Sequence, residues 1–322
     1  MAHIWRLQNV GIAFETVKGT KEPATGRIPK ISGYTKPVVT TLRNESGYGV
    51  IDEVYDAQPI KELTETTLEG ILSDRISGYF LLWSLWASAV TGAWPYTHNF
   101  TVLNSNAHPT FTLWWKDDVK SVSSAYNMVS EFTISAVVGE YVNFTANFMG
   151  KKMVSESTPT VTYSCSENPF RARDVKVYFS DTEGSRGTAI PVTSLNLTIT
   201  KNLYDHQTLG SLDIDSIYNQ QFSVSWDMEL LYEADTYLNF VRAGTKKYTK
   251  IEIINTDVTL TPSGNPTMTF ILWKTAFETR DQTDDNNEIV KQTLWFTWAY
   301  NCSDSYSIKA SIINSVATDY DA

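Results

Sequence analysis

The sequence has few of the residues on which enzymes and metal proteins depend. Its 322 residues include four histidines and two cysteines, Cys165 and Cys302, too few for a disulfide framework. We expect both cysteines to be reduced, partly buried thiols. The chain also contains no His-Glu-x-x-His, no Gly-x-Ser-x-Gly, no phosphate-binding loop and no Cys-x-x-Cys. These absences predict a structural protein with no cofactor, no metal site and no enzymatic activity.

One acidic run and one open alternative bear on that prediction. Asp281, Asp284, Asp285 and Glu288 lie close together, but they lack the alternating ligand spacing and the central glycine of a helix-loop-helix calcium site. We interpret the run as a solvated hairpin loop. A hydrolase with two strand-borne carboxylates stays an alternative, because folding can bring such residues together from any separation in sequence.

Basic residues are scarce as well. The chain has 26 Lys and Arg against 36 Asp and Glu, which gives a formal net charge of −10. Broad binding to nucleic acid or to anionic membranes needs clustered Lys and Arg, so the composition argues against both. Residues 202–241 contain seven carboxylates and no Lys or Arg. Charge that is separated along the chain in this way suits an assembly with an inside and an outside.

Long apolar runs are also missing. A membrane-spanning helix needs about 20 apolar residues, and the longest apolar segment, residues 76–90, is shorter and contains serines. Its apolar residues recur at spacings of three and four, which predicts a buried helix with Asp74 as its cap and Gly92 at its end. A second short helix is predicted at residues 232–241, ending at Gly244. The N-terminal residues lack the pattern of a secretion signal.

Most of the remaining chain favours strands, because 10 Trp, 17 Tyr and many Thr and Val stand in runs that alternate with polar residues. The predicted strands include residues 38–42, 100–103, 111–115, 129–138, 141–149, 195–199 and 222–230. Gly139 and Glu140 form the turn of a hairpin between two of them. In this hairpin one face is apolar, and the opposite face carries hydroxyls, amides and a carboxylate but no base.

A short echo suggests a duplicated β unit. Residues 108–116 read His-Pro-Thr-Phe-Thr-Leu-Trp-Trp-Lys, and residues 265–274 read Asn-Pro-Thr-Met-Thr-Phe-Ile-Leu-Trp-Lys. Each copy follows a helix-like segment that ends at a glycine and precedes a pair of alternating strands. We therefore predict a mainly β protein of two tandem units, each flanked by a short α-helix.

The predicted division leaves residues 1–155 as the first unit, residues 156–165 as a linker and residues 166–322 as the second unit. The second unit should open with irregular structure over residues 168–187. Residues 1–37 contain many Gly and Pro and little apolar periodicity. They predict an N-terminal arm that becomes ordered only against neighbouring subunits, so that its removal would leave a soluble protein unable to polymerise.

Three segments together resemble the tail tube (major tail) proteins of bacteriophages with long, non-contractile tails. They are the opening Gly11-Ile-Ala-Phe-Glu-Thr-Val-Lys-Gly-Thr20, residues 70–92, whose helix follows an acidic strand, and the run Thr97-His-Asn-Phe-Thr-Val-Leu-Asn-Ser-Asn-Ala-His-Pro109. The likeness is closest over the first half. In the second half it depends mainly on strand order.

The resemblance implies tail-tube-type β-sandwich or barrel units that polymerise into stacked rings around a lumen, which conducts DNA during genome ejection. It implies three kinds of partner: further copies of the chain, other tail proteins, and DNA that passes without tight binding. The implied location is the virion tail, after assembly in the host cytoplasm. Many members place one unit in each of six subunits, so a chain with two units would close a ring with three. If the second half were a decoration domain, six chains would be expected.

The resemblance also gives the polar strand faces a role, since positions opposite the core would line the lumen. The predicted lumen-facing residues are Glu65, Glu69, Glu131, Thr133, Asn143, Thr145, Asn196, Thr198, Ser225, Asp227 and Glu229. Without ion pairs to phosphate, such a wall would gain nothing from counterion release and would not retain the genome. Alternatively, these residues are the solvent face of ordinary antiparallel sheets.

A different class of protein fits part of the same evidence. The aromatic content and five Asn-x-Ser/Thr triplets would suit a secreted or surface carbohydrate-binding β-sandwich. The missing secretion signal and the missing disulfides argue against that alternative.

Overall fold

The computed structural model describes residues 7–86, 88–92, 94–105, 108–117, 119–156, 166–182, 187–260, 264–283, 289–302 and 307–320. The described chain is mainly β, with two short α-helices, as predicted. The first half comprises β1 (Asn9–Phe14), β2 (Gly26–Arg27), β3 (Ser32–Asn44), β4 (Asp56–Ile71), α1 (Ile76–Leu85), β5 (Ser88–Thr91), β6 (Tyr96–Thr101), β7 (Phe111–Lys116), β8 (Ser121–Val137), β9 (Asn143–Gly150) and β10 (Val154–Ser155). The second half comprises β11 (Val175–Ser180), β12 (Val192–His206), β13 (Ser216–Leu231), α2 (Thr236–Ala243), β14 (Lys246–Ile254), β15 (Thr267–Thr283), β16 (Lys291–Trp298) and β17 (Ile308–Asn314).

Eight strands, four from each half, form one antiparallel sheet, which we call the long sheet. Its strands lie in the order β3, β4, β9, β8, β12, β13, β16 and β15. The halves meet where β8 pairs with β12, from Glu131 opposite Thr200 to Val137 opposite Ser194. The ladder of backbone hydrogen bonds therefore continues from one half into the other.

Two strands of 17 residues, β8 and β15, leave the long sheet at their N-terminal ends. There β15 pairs with β14 and β17, which continue to β11 on one side and to β6 and β5 on the other. The equivalent end of β8 pairs with β7 and β10, and β7 continues to β1 and β2. The apolar faces of these strands and of the long sheet bury one large core between them.

The pairings of the first half recur in the second half in the same order. In each half a hairpin, β3–β4 or β12–β13, precedes a helix, and a later strand, β7 or β14, pairs with the long bent strand; β5 and β6 intervene only in the first half. Two β-bulges recur as well. One extra residue stands at Ser130 in β8 and at Glu278 in β15, and residues 125–126 and 273–274 each face a single residue of the neighbouring strand. A bulge bends a strand, so these positions carry β8 and β15 out of the long sheet.

The sequence echo that suggested the repeat does not mark equivalent strands. Residues 108–116 include β7, which pairs with β1 and β8, whereas residues 265–274 enter β15, which pairs with β14, β16 and β17. By its neighbours, the counterpart of β7 is β14, and the counterpart of β15 is β8. The alignment from the echo was therefore wrong by one strand, because similar residue patterns occur on any strand with the same exposure.

Helix α1 fills the core of the first half. Nine of its ten residues are buried, and Trp83 stacks on Phe111 with ring centroids 3.9 Å apart, while Phe80 lies 4.5 Å from Phe144. The helix is shorter than predicted, because Trp86 has a positive φ of 71° and the next residues form β5 against β6. The predicted cap is also wrong: the Asp74 carboxylate accepts bonds from the backbone and side-chain nitrogens of Asn168 at 2.9 and 2.8 Å.

The second half repeats this aromatic core with a more exposed helix. Trp226 stacks on Phe296 with centroids 3.9 Å apart, and Phe277 lies 5.0 Å from Phe296. Helix α2 has no fully buried residue and rests its apolar side, including Phe240, on Phe277. It ends at Gly244 in the left-handed conformation, φ 60°, as predicted for a helix C-terminus.

The predicted free N-terminal arm is wrong for the described residues. Strand β1 pairs with β7 and buries Val10 and Ile12, and the following loop buries Glu15. The Glu15 carboxylate accepts four hydrogen bonds, from the hydroxyls of Thr110 and Thr112 and from the backbone nitrogens of Gly19 and Tyr126. A carboxylate that accepts bonds from its own loop and from two distant segments fixes the arm to its own chain, which apolar periodicity alone did not reveal.

Other differences from the sequence prediction are smaller. Strand β3 begins at Ser32, six residues before the predicted start, and residues 168–187, expected to be irregular, contain β11 and a 3-10 turn at Ala172–Asp174. Cys302 is exposed rather than partly buried. Cys165, most of the predicted linker and residues 284–288 of the acidic run lie outside the described residues, while Asp281 lies within β15, two residues before its end.

Lys201 connects the halves behind the seam between β8 and β12. Its side chain is buried, and its ammonium donates a hydrogen bond to the backbone oxygen of Trp83 near the end of α1. Burial lowers the pKa of Lys201 to about 7. Burial, with the charges of Lys201 and Lys18 adding to it, lowers the pKa of His108 to about 4. Folding therefore buries a basic side chain, that of Lys201, behind the seam.

We predict that Glu15→Ala lowers the free energy of unfolding by about 2 to 4 kcal/mol, because it leaves four donors without their acceptor in a buried place. Denaturant unfolding of the unassembled chain measures the change. Glu53→Ala, at an exposed position, is the matched control and should change stability little. Equal stability of the two variants would contradict the role assigned to Glu15.

We also predict that stability increases with pH between about 7 and 10 because of Lys201. In that window the unfolded chain binds a proton that the folded chain lacks, and below it both states are charged. Lys201→Met should flatten this increase and stabilise the protein at pH 7 by about 2 to 4 kcal/mol. Denaturant unfolding at several pH values tests this, with Lys176→Met at an exposed position as the control. Parallel pH curves for wild type and Lys201→Met would refute it.

Candidate channel-lining surface

One face of the long sheet carries polar side chains on all of its strands. All eleven residues predicted from strand parity lie on it: Glu65 and Glu69 in β4, Glu131 and Thr133 in β8, Asn143 and Thr145 in β9, Asn196 and Thr198 in β12, and Ser225, Asp227 and Glu229 in β13. Glu69 and Ser225 are exposed, and the other nine are partly exposed. Their neighbours in sequence alternate with them and are buried in the core.

The strand register arranges these side chains in rows across the sheet. One row runs Glu69, Thr145, Thr133, Thr198, Ser225 over five successive strands. The next runs Asn143, Ser135, Asn196, Asp227. Directly opposite residues in antiparallel strands share a face, so both rows form one continuous surface that crosses the seam between the halves.

Hydrogen bonds within this surface hold its side chains in place. At the seam the hydroxyls of Thr133 and Thr198 lie 3.0 Å apart, and the amide of Asn196 donates to the Asp227 carboxylate at 2.9 Å. Burial raises the pKa of Asp227, and the bond from Asn196 opposes this shift. The surface thus presents hydroxyls and carboxylates that already have partners in the protein.

Carboxylates outnumber bases on the described part of this face. Three lysines lie on it, each in an ion pair: Lys36 in β3 with Glu65 at 3.1 Å, Lys61 in β4 with Asp205, and Lys291 in β16 with Glu229 at 3.2 Å. The hydrogen bond that Lys36 donates to the Glu65 carboxylate raises the pKa of Lys36. The sequence prediction of a face without a base holds for the β8–β9 hairpin but not for the whole sheet. Because each lysine is paired, the face stays acidic in sum.

Sequence reasoning missed the strands at both ends of the sheet. The missed residues on this face are Ser32, Tyr34 and Lys36 in β3, Thr279 and Asp281 in β15, and Thr293, Trp295 and Thr297 in β16. Those of β16 could have been found, since they alternate with the apolar residues Leu294 and Phe296. Those of β3 lie before the predicted start of the strand, and Thr279 follows a bulge that reverses the parity.

Little else in the described residues suggests chemistry. No three His, Cys, Asp or Glu residues in the described part of the chain are grouped so that they could hold a metal ion. The ring of His98 donates a 3.0 Å hydrogen bond from Nε2 to the backbone oxygen of Val316 and lies against Tyr320, which is a structural role. No helix among the described residues has the length and apolar character to cross a membrane.

No curated protein matches the chain. The family model described as "Phage tail tube protein" matches residues 5–298, a range that includes all eight strands of the long sheet and ends before β17. A match of this length decides against the carbohydrate-binding alternative. The chain therefore belongs to the phage tail tube protein family and is a structural component of the virion tail.

Proposed function

We propose that three copies of this tail tube protein close into a ring, and that stacked rings form a tube that conducts DNA during genome ejection. The observation that carries the proposal is the long sheet, to which each half contributes four strands in the same order. On this proposal, residues 1–155 and 166–322 are tandem tube units joined by a linker at residues 156–165. Assembly takes place in the host cytoplasm, and other tail proteins are the further partners.

The strand count supports three chains. Three long sheets supply about 24 strands, which at about 4.8 Å per strand and the usual tilt enclose a barrel about 40 to 50 Å across at the backbone. A barrel of that size leaves room for duplex DNA after side chains are added. The second half is unlike a decoration domain, since its strands continue the same sheet and the family match extends through it.

The polar face supports the choice of the inner wall. Its carboxylates repel phosphate, its hydroxyls and amides carry no charge, and its lysines are already ion-paired. DNA that passes along such a wall releases no bound counterions and gains no affinity from them. The opposite face of the sheet is buried in the core, so it offers no second surface of this kind.

We predict that electron microscopy of assembled tubes finds three chains per ring with pseudo-sixfold symmetry. The two halves of each chain should occupy equivalent positions around the axis, since their strands pair in the same order. Six chains per ring, with the second half of each on the outside, would refute the proposed ring.

We also predict that lysines placed on the wall retard DNA. Glu69→Lys with Ser225→Lys changes two exposed residues of one row, so the core face is untouched and tubes should still form. Ejection should slow at low salt and recover as salt rises, because the screening length falls from about 10 Å at 0.1 M to about 3 Å at 1 M.

The matched control carries the same substitutions away from this face, Glu53→Lys with Ser46→Lys in the exposed turn between β3 and β4. Ejection from tubes of the control protein should keep the wild-type rate at low salt. Equal rates for the wall variant and the control would show that the polar face does not meet the DNA.

A further inference from the structure

The long sheet ends in two strand edges. Among the described residues, β3 has only β4 beside it, and residues 277–283 of β15 have β16 on one side and no paired strand on the other. Each edge presents backbone N–H and C=O groups that can pair with another strand. Both edges also carry residues that discourage indiscriminate pairing, Pro37 in one and Glu278 and Arg280 in the other.

The seam inside the chain shows how such edges fit together. In it the outer edge of β8 pairs with the outer edge of β12, which begins the second set of four strands. By strand order, β15 is the counterpart of β8, and β3 is the counterpart of β12. The free edges of one chain are therefore the two sides of the same kind of seam, separated only because they lie at opposite ends of the sheet.

Two equivalent rows of residues fix the register in which the free edges of β15 and β3 would pair. One row is Ser32, Glu69, Thr145 and Thr133, and the other is Ser194, Glu229, Thr293 and Asp281. Within the chain, Thr133 faces the residue four positions after Ser194, which is Thr198. The same step from Ser32 leads to Lys36, so Lys36 is the residue that Asp281 would face.

We propose that β15 of one chain pairs with β3 of a second copy in the register of the seam between β8 and β12, so that Asp281 lies opposite the second copy's Lys36. This inference rests on the proposed ring, and it identifies the contact that closes it. In the seam within the chain, the equivalent positions hold two hydroxyls, those of Thr133 and Thr198. The seam between chains is thus marked by a pair of opposite charges.

The local charges favour this partner. Asp281 and Lys36 are both exposed and both lie on the polar face, and Lys36 already contacts Glu65. In the ring the Lys36 ammonium would lie between two carboxylates, that of Glu65 in its own chain and that of Asp281 in the neighbouring chain. Any register shifted by two residues would set Asp281 opposite Tyr34 or Val38 and would lose the ion pair. The pair therefore selects both the partner edge and the register.

Disulfide trapping in assembled tubes tests the contact. In a chain with Cys165→Ser and Cys302→Ser, the pair Lys36→Cys and Asp281→Cys should form a disulfide between chains, since directly opposite side chains in antiparallel strands are close enough. The control pair Tyr34→Cys and Asp281→Cys is offset by two residues and should form at least about tenfold less. Non-reducing gels then count how many chains are joined.

The number of chains in the largest disulfide-linked product tests the strand contact and the three-chain ring separately. Products that end at three chains support both, because a closed ring cannot extend further. Products that end at six keep the seam and overturn the ring of three. An unlimited ladder shows that the edges join chains into an open filament and overturns the proposed closure. Tubes that assemble without disulfides, or that trap only the control pair, overturn the proposed pairing.

A second measurement decides the matter if the cysteine pair prevents assembly. Asp281→Asn removes one charge at an exposed position and should raise the protein concentration needed for assembly about two- to fivefold at low salt. The difference from wild type should shrink at high salt. Thr283→Ala, two residues further along the same edge, serves as the control and should show no salt-dependent change. An unchanged threshold for Asp281→Asn would overturn the role of the ion pair.

Discussion

The ladder of hydrogen bonds between β8 and β12 is the constraint on which the rest of the structure depends. Antiparallel pairing sets directly opposite residues on the same face, so this one seam aligns the polar face of the first half with that of the second. It also aligns the two apolar faces, which lets one core run beneath both halves. A slip of one residue here would turn every side chain of β12 to the wrong face.

The recurring bulges explain how one strand can belong to both layers of the fold. β8 and β15 each supply the long sheet with their C-terminal parts and the opposite layer with their N-terminal parts. An extra residue at Ser130 and at Glu278 allows the bend while the strand stays paired on both sides of it. The helices α1 and α2 then fill the space that the bent strands enclose, α1 as a buried element and α2 as a partly covered one.

Sequence alternation predicted the polar face well and long-range pairing poorly. Period-two patterns around Phe132 and Trp226 fixed which residues point inward, because burial on one face is a local property of a strand. The neighbours of a strand are not local, and the echo between residues 108–116 and 265–274 accordingly aligned strands with different partners. The prediction of a free N-terminal arm was wrong for a related reason. Of the four donors to Glu15, one lies in its own loop and three lie about a hundred positions away in sequence.

The ion pairs on the polar face connect its electrostatics to its assembly. A lysine on a surface that faces DNA would ordinarily attract phosphate, but Lys36 and Lys291 each contact a carboxylate of the neighbouring strand. These two strands lie near the two ends of the long sheet, where the chain meets solvent or another chain. In the proposed ring, paired lysines near the sheet edges would contribute charge to the contact between chains. The central strands β8, β9, β12 and β13 carry no lysine or arginine on this face, so in the proposed tube they would offer phosphate no cation.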